Sequence, residues 1–136
     1  MTLSEEHENS STASQASVLL VEDDRSLRRY LEVMLQRAGY KVLTAEDGLE
    51  GMKIALASEI DIVVTDAIMP NLSGQQLARF LRGKPKFGNT PIVLLTGKEA
   101  QFNATDNSIS AVLSKPVSAT QLTDCLNRLL EKTAAS

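Results

Sequence analysis

The sequence contains few of the residues from which several common functional sites are built. Of its 136 residues, one is cysteine, one is histidine and none is tryptophan. A single cysteine excludes a disulfide framework within the chain and is typical of proteins in a reducing compartment. One histidine and one cysteine are also too few for a zinc site made of these ligands.

Long apolar runs and an excess of positive charge are absent too. No apolar run approaches the roughly 18 residues of a membrane-spanning helix, and the polar, acidic amino-terminal residues do not resemble a signal peptide. The net charge of −3 argues against direct binding of nucleic acid. We therefore expect a cytoplasmic protein that binds neither membranes nor nucleic acid.

Length and composition predict one folded domain between two polar ends. The chain is 43% hydrophobic and 23% charged, which are ordinary values for a globular domain. Residues 1–16 are rich in Ser, Glu and Thr, and we interpret them as a disordered tail or linker. The domain is expected over residues 17–132, and a short tail over residues 133–136.

Short apolar runs alternate with amphipathic stripes along this domain. The first helical stripe ends at Gly39, the third begins at Ser73 and the last begins at Ser118, whereas residues 98–109 have too few apolar positions to predict a helix. We interpret Cys125, on the apolar face of the last stripe, as a core residue. Strands alternating with helices predict an α/β domain with a parallel sheet covered on both faces. Runs typical of buried strands span residues 18–21, 40–45, 60–64, 91–95 and 111–114.

Polar residues follow the strands at the sheet edge where open α/β sheets bind ligands. An aspartate after a strand often caps the next helix, which is our interpretation of Asp24. Taken alone, Thr96 or Lys115 is an ordinary solvated residue, but the joint occurrence predicts a cluster of carboxylates, a hydroxyl and an ammonium group. The cluster consists of Glu22 and Asp23 after strand one, Asp66 after strand three, Thr96 after strand four and Lys115 after strand five.

The charges in this cluster indicate a metal-dependent phosphoryl acceptor. Two carboxylates about 4 Å apart repel each other by roughly 4 kcal/mol at an effective dielectric constant of about 20, so three need more positive charge than Lys115 supplies. Mg²⁺ prefers oxygen ligands and is usually bound by one or two carboxylates together with waters and phosphate oxygens. A carboxylate beside a metal ion and a lysine is placed to accept a phosphoryl group as an acyl phosphate.

Four segments of the chain resemble the response-regulator receiver domain (CheY-like) of two-component signalling. The resemblance covers about residues 17–131. The separations of Asp23 from Asp66 and of Asp66 from Thr96 match the family, and that of Thr96 from Lys115 is slightly short. The segments are VLLVEDD at 18–24, DIVVTDAIMPNLSG at 61–74, PIVLLTG at 91–97 and LSKPV at 113–117.

The resemblance implies a single doubly wound, flavodoxin-like domain whose five-stranded parallel sheet has the order 2-1-3-4-5. It implies that Asp66 accepts a phosphoryl group from the phosphohistidine of a histidine kinase or a histidine phosphotransfer domain, which alters binding of a downstream partner. Mg²⁺ would be held by Glu22, Asp23, Asp66 and the backbone carbonyl of Ile68. Such a domain catalyses only its own phosphorylation and dephosphorylation, so whether it counts as an enzyme stays open.

Further roles follow from the same resemblance. Thr96 would turn its hydroxyl toward the phosphoryl group once that group is present. Lys115 would pair with Asp66 and then with a phosphoryl oxygen. The structural residues that the motifs imply are Pro70, Gly74 and Pro116, the last of them after a cis peptide bond.

Three features depart from the family pattern. The segment between Thr96 and Lys115 is short and polar, so we expect its helix to be reduced or poorly ordered. Val112 occupies the position at which the family usually carries a switch aromatic, so the usual coupling of that ring to the threonine is in doubt. Ile68, Gly97 and Lys98 occupy positions that modulate hydrolysis of the acyl phosphate. We expect the bulky, apolar Ile68 to hinder the attacking water and to prolong the phosphorylated state.

Other functional classes fit the residues less well. A nucleotide-binding domain needs a glycine-rich loop after strand one, where this chain has acidic residues, and an aspartate-based phosphatase commonly has a second Asp at the position of Ile68. The main alternative is a degenerate receiver that acts as a constitutive protein-binding module. The cognate kinase, the downstream protein and the choice between a stand-alone regulator and an excised hybrid-kinase receiver stay open, and we expect a monomer or a weak dimer.

Overall fold

One parallel sheet of five strands organises the molecule. The computed structural model describes residues 15–97 and 106–135. The strands are Ser17–Val21 (β1), Lys41–Ala45 (β2), Ile62–Asp66 (β3), Ile92–Thr96 (β4) and Ala111–Ser114 (β5). They lie in the order β2-β1-β3-β4-β5, which confirms the predicted order.

Four helices lie within the described residues, and local hydrogen bonds define where they begin. They are Arg25–Arg37 (α1), Gly48–Ala57 (α2), Gly74–Arg82 (α3) and Ala119–Ala135 (α4), with a short 3-10 turn at Pro85–Phe87. The predicted cap Asp24 accepts hydrogen bonds from two N–H groups of the first turn of α1, and Ser73 forms a reciprocal capping box with Gln76. Gly39 follows α1 with φ of 101°, the left-handed conformation in which glycine commonly ends a helix. None of the helices in residues 15–97 and 106–135 combines the length and apolar character of a membrane-spanning segment.

Helices cover both faces of the sheet, as predicted. Because successive strand residues point to opposite faces, Leu19 and Leu20 of β1 enter two different clusters of buried side chains. One cluster packs α1 and α4 against the sheet and includes Leu31 and Cys125. The other packs α2 and α3 against the opposite face and includes Leu77. Cys125 is 3% exposed, which confirms its interpretation as a core residue.

Some strand boundaries differ from the predicted ones. β3 lies two residues later than the predicted span of 60–64, because Thr65 and Asp66 pair with β4 although they interrupt the apolar pattern. β2 and β4 begin at Lys41 and Ile92, one residue later than the apolar runs. An apolar run therefore marks a buried strand, but the neighbouring strand decides which residues join the ladder.

The ends of the chain and one internal segment also bear on the predictions. α4 continues to Ala135, which corrects the tail predicted over 133–136, since residues 133–135 are helical. The hydroxyl of Thr133 donates to the carbonyl of Leu129 at 2.9 Å within this last stretch of helix. Residues 1–14 and 98–105 lie outside the described residues, whereas residues 106–110 are described and contain no helix.

Candidate functional site

The predicted site residues meet at the carboxyl edge of the sheet. β1 and β3 are neighbours, but α1 follows β1 on one face of the sheet and α3 follows β3 on the other. Such a topological switch point is where open α/β sheets bind ligands. Glu22 and Asp23 follow β1 at this point, and Asp66 is the last residue of β3.

Three carboxylates lie together at the switch point. One oxygen from each of Glu22, Asp23 and Asp66 lies within 4.8 Å of the other two. Glu22 is fully buried and Asp66 is 7% exposed, whereas Asp23 is exposed. The cluster is therefore accessible to solvent from the side of Asp23.

Lys115 brings a positive charge next to these carboxylates. Its Nζ lies 3.0 Å from Oδ1 of Asp66 and 3.1 Å from Oε1 of Glu22. The backbone N–H of Lys115 donates to the carbonyl of Thr96 at 2.7 Å, so the pairing of β4 with β5 continues one residue beyond the strands. The peptide bond between Lys115 and Pro116 is cis, the state that the resemblance implies.

Burial and charge change the acidity of the groups in the cluster. Burial, together with the charge of Asp66, raises the pKa of Glu22 to about 7, although the N–H of Asp24 and the ammonium of Lys115 act in the opposite direction. Burial lowers the pKa of Lys115, but its hydrogen bond to Asp66 and the charges of both carboxylates outweigh burial, so this pKa is raised above its ordinary value. Lys115 therefore stays charged. Its single positive charge faces three carboxyl groups, of which Glu22 is ionised only in part near neutral pH.

The donor atoms of the cluster fit Mg²⁺. The side-chain ligands are carboxylate oxygens, the type that Mg²⁺ prefers over nitrogen or sulfur. Oε1 of Glu22 is buried and forms an ion pair with Lys115, but it accepts no hydrogen bond of good geometry within the described residues. A divalent cation would compensate a buried charge that the lysine balances only in part.

Gly74 closes the loop that follows Asp66. Its N–H donates to the carbonyl of Ala67 at 3.0 Å, and a Cβ at this position would lie 2.2 Å from the carbonyl oxygen of Asp66. Only glycine permits this approach, so the backbone of Asp66 packs directly against the first turn of α3. Pro70 and Ile68 are exposed in the same loop, and Ile68 has 55% of its surface exposed.

The other predicted residues lie at β4 and β5. Thr96 ends β4 and is 8% exposed, and Gly97 follows it at the same edge of the sheet. Lys98 lies outside the described residues. Val112 pairs with Leu94 in the β4–β5 ladder and is half-buried, so an aliphatic side chain occupies the position of the family's aromatic residue.

The sequence patterns did not predict two sets of polar contacts near the site. On α3, Gln75 and Arg79 donate to the carboxylate of Asp106 at 2.9 and 3.1 Å, which ties the helix after Asp66 to the turn before β5. On α1, Nη1 of Arg28 donates to the backbone carbonyl of Glu22 at 2.8 Å. Periodicity identifies the apolar face of a helix, so it carries no signal for contacts made by polar side chains.

Comparison with known proteins supports the family resemblance. The family model described as the response regulator receiver domain matches residues 18–127. Hybrid signal transduction histidine kinase D of Dictyostelium discoideum is 37% identical over 108 residues, which cover 77% of this chain and 7% of that kinase. The chain spans less than half the length of that kinase and of two bacterial transcriptional regulatory proteins that it also matches.

Two solved structures are similar over most of the described fold. The chemotaxis response regulator CheY4 of Vibrio cholerae superposes with a TM-score of 0.77 at 30% identity, covering 85% of this chain and 98% of that chain. The receiver domain of a sensor histidine kinase from Pseudomonas aeruginosa superposes with a TM-score of 0.79 at 28% identity, covering 86% and 98%. That domain has a magnesium ion coordinated in its active-site cleft.

Proposed function

Because the chain belongs to the response regulator receiver domain family, we propose that it is a phosphorylation-dependent signalling switch in which Asp66 accepts a phosphoryl group. The donor is the phosphohistidine of a histidine kinase or a histidine phosphotransfer domain. The observation that carries this proposal is the position of Asp66. Its carboxylate lies 3.0 Å from Nζ of Lys115 and within 4.8 Å of ligand oxygens from Glu22 and Asp23.

The transfer exchanges one bond at phosphorus for another. A carboxylate oxygen of Asp66 attacks the phosphorus, and the bond from phosphorus to one imidazole nitrogen of the donor breaks. The electron pair of that bond stays on this nitrogen, and the ring leaves as neutral imidazole because its other nitrogen carries a proton. Lys115 neutralises negative charge on Asp66 before the transfer and pairs with a phosphoryl oxygen after it. Phosphoryl transfer requires mainly positioning and charge neutralisation, and both come from groups on rigid strand ends.

The same carboxylates form the proposed metal site. Asp23, Asp66 and the backbone carbonyl of Ile68 would hold Mg²⁺ together with Glu22. Bound Mg²⁺ supplies positive charge that offsets the repulsion between the carboxylates and the phosphoryl oxygens. The exposure of Asp23 supports this assignment, because Mg²⁺ usually keeps several of its waters.

Residues around the acceptor control how long the signal lasts and how it is read. Thr96 turns its hydroxyl toward the phosphoryl group, and Ile68, Gly97 and Lys98 modulate access of the hydrolytic water. The response is a population shift of the surface at β4 and β5 between two conformations. Val112 replaces the usual aromatic residue in β5, so side-chain packing other than a ring rotation carries this shift to the downstream protein.

We place the switch in the cytoplasm, as a monomer or a weak dimer whose output is binding of a protein partner. The net charge of −3 supports a protein partner over direct contact with nucleic acid. The polar residues 1–16 serve as a tail or linker to the receiver domain.

Mass spectrometry of the intact protein tests the proposal. The wild type, incubated with acetyl phosphate and Mg²⁺, should gain one phosphoryl group, and removal of Mg²⁺ by a chelator should abolish the gain. Asp66→Ala should gain none. Asp61→Ala is the matched control, because Asp61 lies just before the opposite end of β3, where its carboxylate accepts the N–H of Ser17 at 2.7 Å, and it should be phosphorylated like the wild type.

A negative result would favour the degenerate receiver. If the folded wild type gains no mass and also fails to bind beryllofluoride with Mg²⁺, the phosphorylation switch is refuted and a constitutive binding module becomes the better interpretation. Phosphorylation of Asp66→Ala to the wild-type extent would instead assign the acceptor to another residue.

A further inference from the structure

Asp23, the exposed carboxylate of the proposed metal site, lies between two residues that are fixed by hydrogen bonds. The N–H of Glu22 donates to the carbonyl of Ala45 at 3.1 Å, which extends the pairing of β1 with β2. The N–H of Asp24 donates to Oε2 of Glu22 at 3.0 Å. The direction of the backbone at Asp23, where the chain continues from β1 toward α1, therefore depends on the position of Glu22.

The carbonyl of Glu22 lies where β1 loses its pairing with β3. The β1–β3 ladder ends with Val21 opposite Thr65, so Glu22 is one residue beyond it. The carbonyl of Glu22 accepts a hydrogen bond from Nη1 of Arg28 at 2.8 Å. A donor that carries a charge makes a stronger hydrogen bond than a neutral one, so Arg28 holds this carbonyl firmly after the ladder has ended.

Two hydrogen bonds of Arg28 link it to the residues on either side of Asp23. Asp24 caps α1, and its carbonyl accepts the N–H of Arg28 at 2.8 Å, so the first turn of the helix fixes the backbone of Arg28. The guanidinium of Arg28 then returns to Glu22, six residues earlier in the chain. The backbone on both sides of Asp23 is thereby tied to one turn of α1.

We propose that Arg28 is a positioning residue of the metal site, a role that rests on the proposed function. By holding the carbonyl of Glu22, Arg28 fixes the backbone from which the carboxylate of Asp23 extends and so sets the affinity for Mg²⁺. Arg28 is half-buried, and its guanidinium acts on the site through the backbone. Residues that orient a metal ligand in this way typically change metal affinity about 10- to 100-fold when they are replaced.

Calorimetric titration of the protein with MgCl₂ tests this role. Arg28→Met keeps an unbranched stem but removes the donor, and we expect the dissociation constant for Mg²⁺ to rise about tenfold. Arg28→Lys keeps a charged donor and should recover part of the affinity. Arg29→Met is the matched control, because Arg29 is the next residue on α1 and pairs with Glu32 at 3.1 Å, and it should bind Mg²⁺ like the wild type.

Phosphorylation by acetyl phosphate separates metal affinity from the transfer itself. For Arg28→Met, the Mg²⁺ concentration that gives the half-maximal rate should rise in step with the dissociation constant, and saturating Mg²⁺ should restore the rate. Circular dichroism verifies that each variant is folded. If Arg28→Met does not fold, Arg28→Leu, which also lacks a donor, is judged by the same criteria.

Two negative outcomes have different meanings. Wild-type affinity in a folded Arg28→Met protein would overturn the role of Arg28 and leave the proposed function intact. A wild-type protein that binds no Mg²⁺ would overturn the proposed metal site, and the role of Arg28 with it.

Discussion

Gly74→Ala should damage both the fold and the proposed reaction, because it adds a methyl group against the backbone of the phosphoacceptor. The new Cβ would lie 2.2 Å from the carbonyl oxygen of Asp66 and 2.8 Å from Cδ1 of Leu94. Real Cβ atoms essentially never have contacts shorter than 3.0 Å, so something must move. The leucine methyl group can rotate away, but the carbonyl of Asp66 belongs to β3 and moves only with the strand.

The size of the effect follows from two opposing terms. Overpacking a close-packed interior costs about 1–3 kcal/mol, and contact with backbone places this site at the upper end. Replacing glycine by alanine in a helix gains up to about 1 kcal/mol. We therefore expect Gly74→Ala to lower the free energy of unfolding by about 2 kcal/mol, which corresponds to a fall of roughly 8 °C in Tm. Displacing the reacting carboxylate by about 1 Å should slow phosphorylation on the order of 100-fold.

Thermal unfolding and the rate of phosphorylation by acetyl phosphate measure the two effects. Gly83→Ala is the matched control at the other end of α3. Its Cβ would have the carbonyl oxygen of Phe80 as its nearest neighbour at 3.4 Å, and its φ of −76° suits alanine, so its Tm should be unchanged or slightly higher. A Gly74→Ala protein with the wild-type Tm and the wild-type rate would show that the first turn of α3 accommodates the added methyl group without moving Asp66.

Three further predictions concern side chains around the site. Ile68→Asn should shorten the half-life of the phosphorylated protein, because a smaller polar side chain admits water to the acyl phosphate. Mass spectrometry after removal of the phosphodonor measures this half-life, and an unchanged value would contradict the proposed shielding by Ile68. With a chelator present, the free energy of unfolding of the wild type should decline from pH 4.5 to about 7, because a group with a raised pKa, here Glu22, stabilises the fold only while it is protonated. Glu22→Gln should remove much of that decline, and a variant with the same pH profile as the wild type would argue against this role of Glu22. The N–H of Ser108, Gln75 and Arg79 lower the pKa of Asp106 to about 2 from 3.8, so this group stabilises the fold above pH 3.8 and loses the effect as the pH falls to about 2. Asp106→Asn should therefore have a lower Tm than the wild type at neutral pH and a similar Tm near pH 2. A Tm difference that stays the same at both pH values would contradict this stabilising role of the Asp106 carboxylate.

Sequence patterns predicted the elements of the fold well and their boundaries less well. A helical stripe marks a helix with one buried face, and an apolar run marks a strand that is buried on both faces. Both patterns can be identified from residue types alone. The caps Asp24 and Ser73 were predictable because their hydrogen bonds reach only two or three residues along the chain. The shift of β3 was not predictable, because Thr65 and Asp66 join the sheet only by pairing with a strand that lies far away in the sequence.

The residues of the candidate site were likewise predictable only in part. The family motifs and the carboxyl ends of the strands predicted that Glu22, Asp23, Asp66, Thr96 and Lys115 would lie at one edge of the sheet. They did not predict that Asp106 would be held by polar side chains of α3. They also did not predict that Arg28 would return to the strand before its own helix. A charged residue on a helix surface can point in several directions, and its partner is settled by packing.

The amino-acid sequence is enough to predict the alternation of strands and helices, the caps of α1 and α3, and the types of group available at the strand ends, because each of these depends on a residue or on its near neighbours. The distances between the site residues and their electrostatics depend on the folded structure. Parallel pairing of β1, β3, β4 and β5 brings Lys115 within 3.0 Å of Asp66, and burial raises the pKa of Glu22 to about 7. These properties arise from excluded water and from charges on separate strands, and such effects exist only once the chain has folded.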